Sequence, residues 1–143
     1  MNIKLNYQNV LDELKKTIPE LYNHSGYDEI SQDYSGNLPY VVFDYLQLFL
    51  KESFKGQKFD LVKKIADFLE EACSSYDPKL IELVMFGFME TFYGNYRDFD
   101  KDMIDYFGKN TKKVLIDTVE HNSKIGMEDK KKVYKLFGNK LDK

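Results

Sequence analysis

Four aspartates in close succession, Asp98, Asp100, Asp102 and Asp105, are the residues of this chain best placed to do chemistry, with Tyr96, Arg97 and Tyr106 around them. Carboxylates at that density hold cations, and a calcium loop uses such alternating oxygen donors. A calcium loop between two helices also requires glycine at its sixth position and glutamate at its twelfth. Counted from Asp98, those places hold Met103 and Lys109, and the calcium reading fails. Two readings remain: a solvated helix start capped by Asp98, or a face that receives a cationic partner. Asp98, Asp102 and Asp105 fall at i, i+4 and i+7, on one side of a helix. Their mutual repulsion destabilises the helix unless a partner's cation or the helix N-terminus offsets it. Aromatic and arginine side chains dominate interface energies, and their presence beside the carboxylates favours the partner.

A nucleophile can be sketched from Cys73 with His24 or His121, the only cysteine and the only histidines. Cys73 ends an apolar stripe, however, and burial raises a thiol pKa and makes it inert. One cysteine also excludes an internal disulfide and a cysteine-built zinc site. There is no glycine-rich phosphate loop, no His-Glu-x-x-His pair and no nucleophile elbow. Glu70, Glu71, Glu82 and Glu90 lack the Glu-x-x-His partner of a carboxylate site in a helix bundle. The expectation is no catalysis, no cofactor and no metal.

The elements that must position the acidic segment are organised around Asp77 to Gly94. Asp77 is suited to cap a helix, Pro78 suits its first position and Gly94 supplies its end. Nearly everything between is apolar, and a helix apolar all round belongs in a core. It is shorter than the roughly 20 apolar residues a membrane span requires. Before it, Tyr7 to Tyr22 has helical spacing interrupted at Pro19, and Leu38 to Phe54 is a second mostly covered helix. In that helix Asp44, Gln47 and Lys51 form one narrow polar stripe. Lys58 to Cys73 is amphipathic, with Asp60–Lys64 and Lys63–Asp67 as expected i,i+4 pairs worth about 0.2–0.5 kcal/mol each. After Gly94 a short helix of about ten residues starts at Asp98 and closes at Gly108. Asn110 to His121 and Met127 to Phe137 give two more. No stretch alternates with period two, and the chain reads as one all-α domain, residues 1–143, of six to seven helices in antiparallel pairs. Residues 23–37 form its longest aperiodic stretch, and connections that long are often functional. Tyr27, Asp33 and Tyr34 in it join the acidic segment as expected partner contacts.

The formal charge of −3 is unevenly spread: residues 1–59 carry −2, residues 60–105 carry −6 and residues 106–143 carry +5. Of 21 basic residues only Arg97 is arginine, the residue preferred for bidentate phosphate and base contacts, so nucleic acid is not the expected partner. The opening residues lack an apolar targeting segment, and a cytoplasmic protein is expected, without a membrane partner.

Residues 59–93, an amphipathic helix followed by Asp77-Pro78 opening an apolar one, resemble a HEAT-type unit of an α-solenoid. The arginine of that motif is absent, and Lys79 to Glu82 stand in its place. A second resemblance rests on Gly36-Asn37-Leu38-Pro39-Tyr40, Phe68-Leu69-Glu70, Phe88-Met89-Glu90 and Phe107-Gly108. These look like small bacterial all-helical proteins whose relatives often accompany polymorphic toxins as immunity proteins. The second resemblance implies a non-catalytic domain that neutralises a basic toxin, most concretely a nuclease, through Tyr27, Asp33, Tyr34, Tyr96, Arg97, Asp98, Asp100, Asp102 and Asp105. The first implies a scaffold or adaptor.

Overall fold

An all-round apolar helix is stable only where other elements cover it on every side. The computed structural model describes residues 4–23, 38–94 and 101–121, apart from the side chains of Tyr93, Gly94 and Lys101. Along the chain run α1 (Val10–Thr17), α2 (Pro19–Tyr22), α3 (Leu38–Lys55), α4 (Phe59–Cys73), α5 (Pro78–Leu83), a π-helical stretch Val84–Met89, α6 (Glu90–Gly94), α7 (Lys101–Ile104) and α8 (Lys109–His121). The fold is all-α, with no strand among the described residues. The expected helix at Met127–Phe137 and the stretch 24–37 lie outside them.

From α5 to α6 the backbone is continuously helical and forms the central helix. Asp77 caps it as expected, Oδ1 accepting from the Lys79 amide at 3.0 Å, with Pro78 in the first position. The other carboxylate oxygen accepts from the Tyr7 amide at 2.7 Å, and Ser75 Oγ donates to the Leu5 carbonyl at 2.9 Å. One capping residue therefore also fastens the N-terminal turn. Leu80, Leu83, Val84, Phe88, Met89 and Phe92 of the central helix are buried. Its heaviest packing is against α3, and α8 and α4 close the other sides. Gly87 sits where α3 comes nearest: a Cβ there would lie 3.3 Å from Phe43 Cβ and 3.1 Å from Leu83 Cδ1. The middle of this helix is π-wound, with the Glu90 amide donating to the Met85 carbonyl five residues back. Nothing in the residue pattern had marked that change of winding.

Pro19 breaks the first helix rather than bending it. Ile18 before it takes φ −129° and ψ 67°, since proline disfavours the helical region for its predecessor. On α4 the Lys63–Asp67 pair forms at 2.8 Å, whereas Lys64 reaches across to Glu20 of α2 at 2.9 Å instead of to Asp60. Tertiary proximity redirects a long side chain that helical spacing alone assigns to its own helix.

The start of α8 is capped from outside. Gly108 stands in the N-cap position with no side chain to offer, and the carboxylate of Glu70 on α4 takes its place. Glu70 Oε1 accepts from the Thr111 amide at 2.9 Å and hydroxyl at 2.8 Å. Its Oε2 accepts from the Asn110 amide at 3.1 Å and Nδ2 at 2.9 Å. A Cβ on residue 108 would lie 2.5 Å from the Glu70 carboxylate, so glycine is what lets the two approach. Burial by itself pushes the Glu70 carboxyl up, but the Thr111 and Asn110 donors outweigh it and leave the group below the ordinary glutamate range.

Phe88, fully buried and stacked on Phe92 with centroids 5.5 Å apart, reports whether this core is the source of stability. Phe88→Ala is expected to cost about 3–5 kcal/mol in urea unfolding. Glu70→Gln is expected to cost about 1–3 kcal/mol near neutral pH, because α8 loses a charged acceptor at its N-terminus. A lowered folded pKa gives stability that is complete above the unfolded value of about 4.3 and lost as pH falls through the folded one. The gap between wild type and Glu70→Gln should therefore narrow below about pH 4, measured as urea midpoints across a pH series.

Candidate functional site

Of the residues assigned to partner binding, Tyr27, Asp33, Tyr34, Tyr96, Arg97, Asp98 and Asp100 lie outside the described residues. Asp102 and Asp105 are described and exposed. They do not share a continuous helical face. The described helical residues here are Lys101–Ile104, and after Ile104 the chain tightens into a turn through Tyr106 amide to Met103 carbonyl at 3.1 Å and Phe107 amide to Ile104 carbonyl at 2.9 Å. The reason is burial. Met103, Ile104 and Phe107 all enter the core, and the tight turn brings Phe107 onto Phe92 with centroids 5.6 Å apart. Asp102 and Asp105 are left at the surface on either side of those anchors.

Beside them stands an aromatic platform that sequence patterning had not assembled. Phe59, the first residue of α4, is 43% exposed. Its ring stacks on Tyr106 at 6.5 Å and 11°, and meets Phe54 edge-on at 5.8 Å and 68°.

Between the end of α3, the start of α4 and α7 lies a cleft of about 380 Å³ lined by Lys51, Phe54, Lys55, Gln57, Phe59, Asp102 and Met103. Lys51, on the narrow polar stripe of α3, is buried, at 5% exposed. The solvent side of α3 is instead Leu48, Glu52 and Lys55, because the central helix packs along the side that bears Gln47 and Lys51. The Lys51 ammonium is held by the Phe92 carbonyl at 3.2 Å and lies 5.1 Å from the centre of the Phe92 ring. Gln47, one turn before it, is fully buried; its Nε2 donates to Asp44 Oδ1 at 3.3 Å, and its Oε1 has no partner among the described residues. Asp102 thus faces a cleft shared with two ammonium groups, not a purely acidic surface.

Past the end of α3 the chain turns through Gln57, which takes φ 61°. The Lys58 amide donates to the Ser53 carbonyl and the Gln57 amide to the Phe54 carbonyl, the two bonds of a Schellman end. Gln57 occupies the left-handed position that glycine normally fills, while Gly56 stands one residue early. This turn delivers Phe59 to the cleft.

A slightly larger cleft, about 410 Å³, lies between Lys4–Asn6 and the turn at Ser74–Asp77. The Ser75 hydroxyl and Asp77 carboxylate in its wall are already committed to fastening the N-terminal turn, and of the described contact residues neither Asp102 nor Asp105 lines it.

The sketched nucleophile is not assembled from the described residues. Burial pushes the Cys73 thiol up to about 12; the Thr111 hydroxyl opposes this and the nearby Glu70 carboxylate adds to it. Thr111 opens α8, and His121 ends it ten residues later, roughly 15 Å away at helical rise, against the Phe86 ring. Among the described residues no three His, Cys, Asp or Glu side chains cluster to hold a metal ion, and no helix is long and apolar enough to cross a membrane.

These features define an all-α domain with a covered central helix and a cleft whose described lining includes Lys51, Lys55, Phe54 and Phe59. The chain belongs to the family described as domain of unknown function (DUF7674), whose model matches residues 11–124. That span takes in every residue of the cleft and the acidic positions beside it. No curated protein and no solved structure matches the chain.

The left-handed Gln57 gives a direct stability test of the turn that places Phe59. Gln57→Gly is expected to raise stability by about 0.5–1 kcal/mol, the relief of a non-glycine left-handed residue less the added freedom of the unfolded chain. Chemical denaturation of the two proteins side by side checks it.

Proposed function

We propose that this is a non-catalytic protein-binding domain, and that its partner docks where Phe59 and Tyr106 meet Asp102 and Asp105. The observation that carries this reading is the half-exposed stacked pair Phe59–Tyr106 beside two exposed carboxylates. A rigid aromatic platform offers contact area at little entropic cost, and flanking charges steer and orient the partner. In its most concrete form the domain is a cytoplasmic bacterial immunity protein and the partner a basic toxin domain, such as a nuclease. Nuclease surfaces are cationic because they hold phosphate, and a segment of net −6 over residues 60–105 would speed encounter with one.

The test uses a purified basic nuclease domain as the partner, with association rates measured at low and at moderate salt. Asp102→Lys combined with Asp105→Lys is expected to slow association about tenfold at low salt and to flatten its salt dependence. Phe59→Ala is expected to act on dissociation instead, weakening affinity by about 1–2 kcal/mol. Unchanged kinetics in both variants, with the fold intact by circular dichroism, would overturn the assignment of this face.

A further inference from the structure

We propose that the π-wound turn Val84–Met89 is a conformational switch: it exchanges with an α-wound form in which Thr91 replaces Phe92 against α3. Laid on an unbroken α-helix from Leu80, Thr91 returns to within about 20° of it, whereas Phe92 falls about 120° away. The π turn takes one residue more than an α turn, which delays every later position by about 100°. Phe92 therefore stands in the direction that α winding gives to Thr91. In the structure Phe92 is fully buried and Thr91 is exposed. One surplus residue thus selects which of two neighbouring side chains enters the core. The alternative, α winding, is by far the commoner geometry.

Gln47 marks what the α form offers. On one side of α3, Phe43 lies against Gly87 and Lys51 donates to the Phe92 carbonyl. Gln47 stands midway between them, fully buried, and so faces the central helix between Gly87 and Phe92. Its Nε2 donates to Asp44, and a carboxylate only accepts, so the orientation of the amide is fixed. Oε1 is left without a donor among the described residues, which is rare for a buried polar atom. In the α form the Thr91 hydroxyl turns from the surface to this side and supplies the donor. The opposing cost is Phe92, which leaves its stacking on Phe88 and its contact with Phe107, and this keeps the π form the major one. Phe107 follows Tyr106, so the α form also withdraws support from the Phe59–Tyr106 pair. Regulation of docking by this route rests on the partner reading above; the exchange itself does not.

Relaxation dispersion of backbone amides tests this on the whole chain, with no partner present. Val84–Phe92 are expected to exchange as one process with a minor state of about 1%, and Phe107 to exchange at the same rate. Thr91→Val removes the hydroxyl at an exposed position, and Gln47→Leu removes the acceptor. Each is expected to lower the minor population about threefold to tenfold, while Thr91→Ser, which keeps the hydroxyl, retains it. Deletion of Met85, half-exposed on the π turn, takes out the surplus residue. That chain is expected to fold with Phe92 still buried and to lose the exchange altogether. No exchange at the turn, exchange not shared with Phe107, or populations unmoved by both Thr91→Val and Gln47→Leu would each overturn the switch. Because the switch is read without a partner, its failure is distinguishable from a failure of the docking face.

Discussion

The carboxylate of Glu70 on the start of α8 is the contact on which the rest of the arrangement depends. Four donors converge on it, two backbone amides and two side chains, and all belong to Asn110 and Thr111. The amides of a helix's first turn have no partner within the helix, and a negative charge there also meets the positive end of the helix dipole. One side chain thereby fixes α8 against α4 and closes the cover over the central helix. Gly108 is the enabling residue, since any Cβ would occupy the carboxylate's place. Cys73, one turn further along α4, is sealed beneath the same junction.

From that junction the positions of the surface groups follow by packing. The chain enters α8 directly from Phe107, which rests on Phe92, which stacks on Phe88 in the middle of the core. Lys51 secures the same end of the central helix through the Phe92 carbonyl and ring. With Met103 and Ile104 also buried, the short α7 has little freedom to rotate, and Asp102, Asp105 and Tyr106 are presented in a fixed relation to Phe59. The platform is thus assembled from three separate parts of the chain: the end of α3, the start of α4 and the turn after α7.

Placing Lys51 in the interior changes the electrostatic character of that end of the molecule. Charge counted along the chain makes residues 60–105 strongly acidic, but the cleft draws its cations from α3, outside that span. Net charge by segment describes a linear chain, whereas a binding surface is made of residues from several segments. The same end can therefore present carboxylates outward and ammonium groups within.

By itself the sequence determined the helical class, the capped central helix and most helix limits, because these follow from apolar spacing, from Asp77-Pro78 and from the break at Pro19, all of them local. It also determined that Cys73 would be buried, from its place on an apolar stripe. Only the tertiary structure decided which polar residues lie inside. Asp44, Gln47 and Lys51 share the narrow polar stripe of α3, and the central helix packs along it and buries Gln47 and Lys51. Spacing gives the angular position of a residue on its own helix, and the direction of solvent is set by neighbours distant in sequence. For the same reason the Glu70 cap on α8, forty residues away, and the meeting of Phe59 with Tyr106 were not legible in it. Each is a long-range contact whose partners carry no local mark of one another.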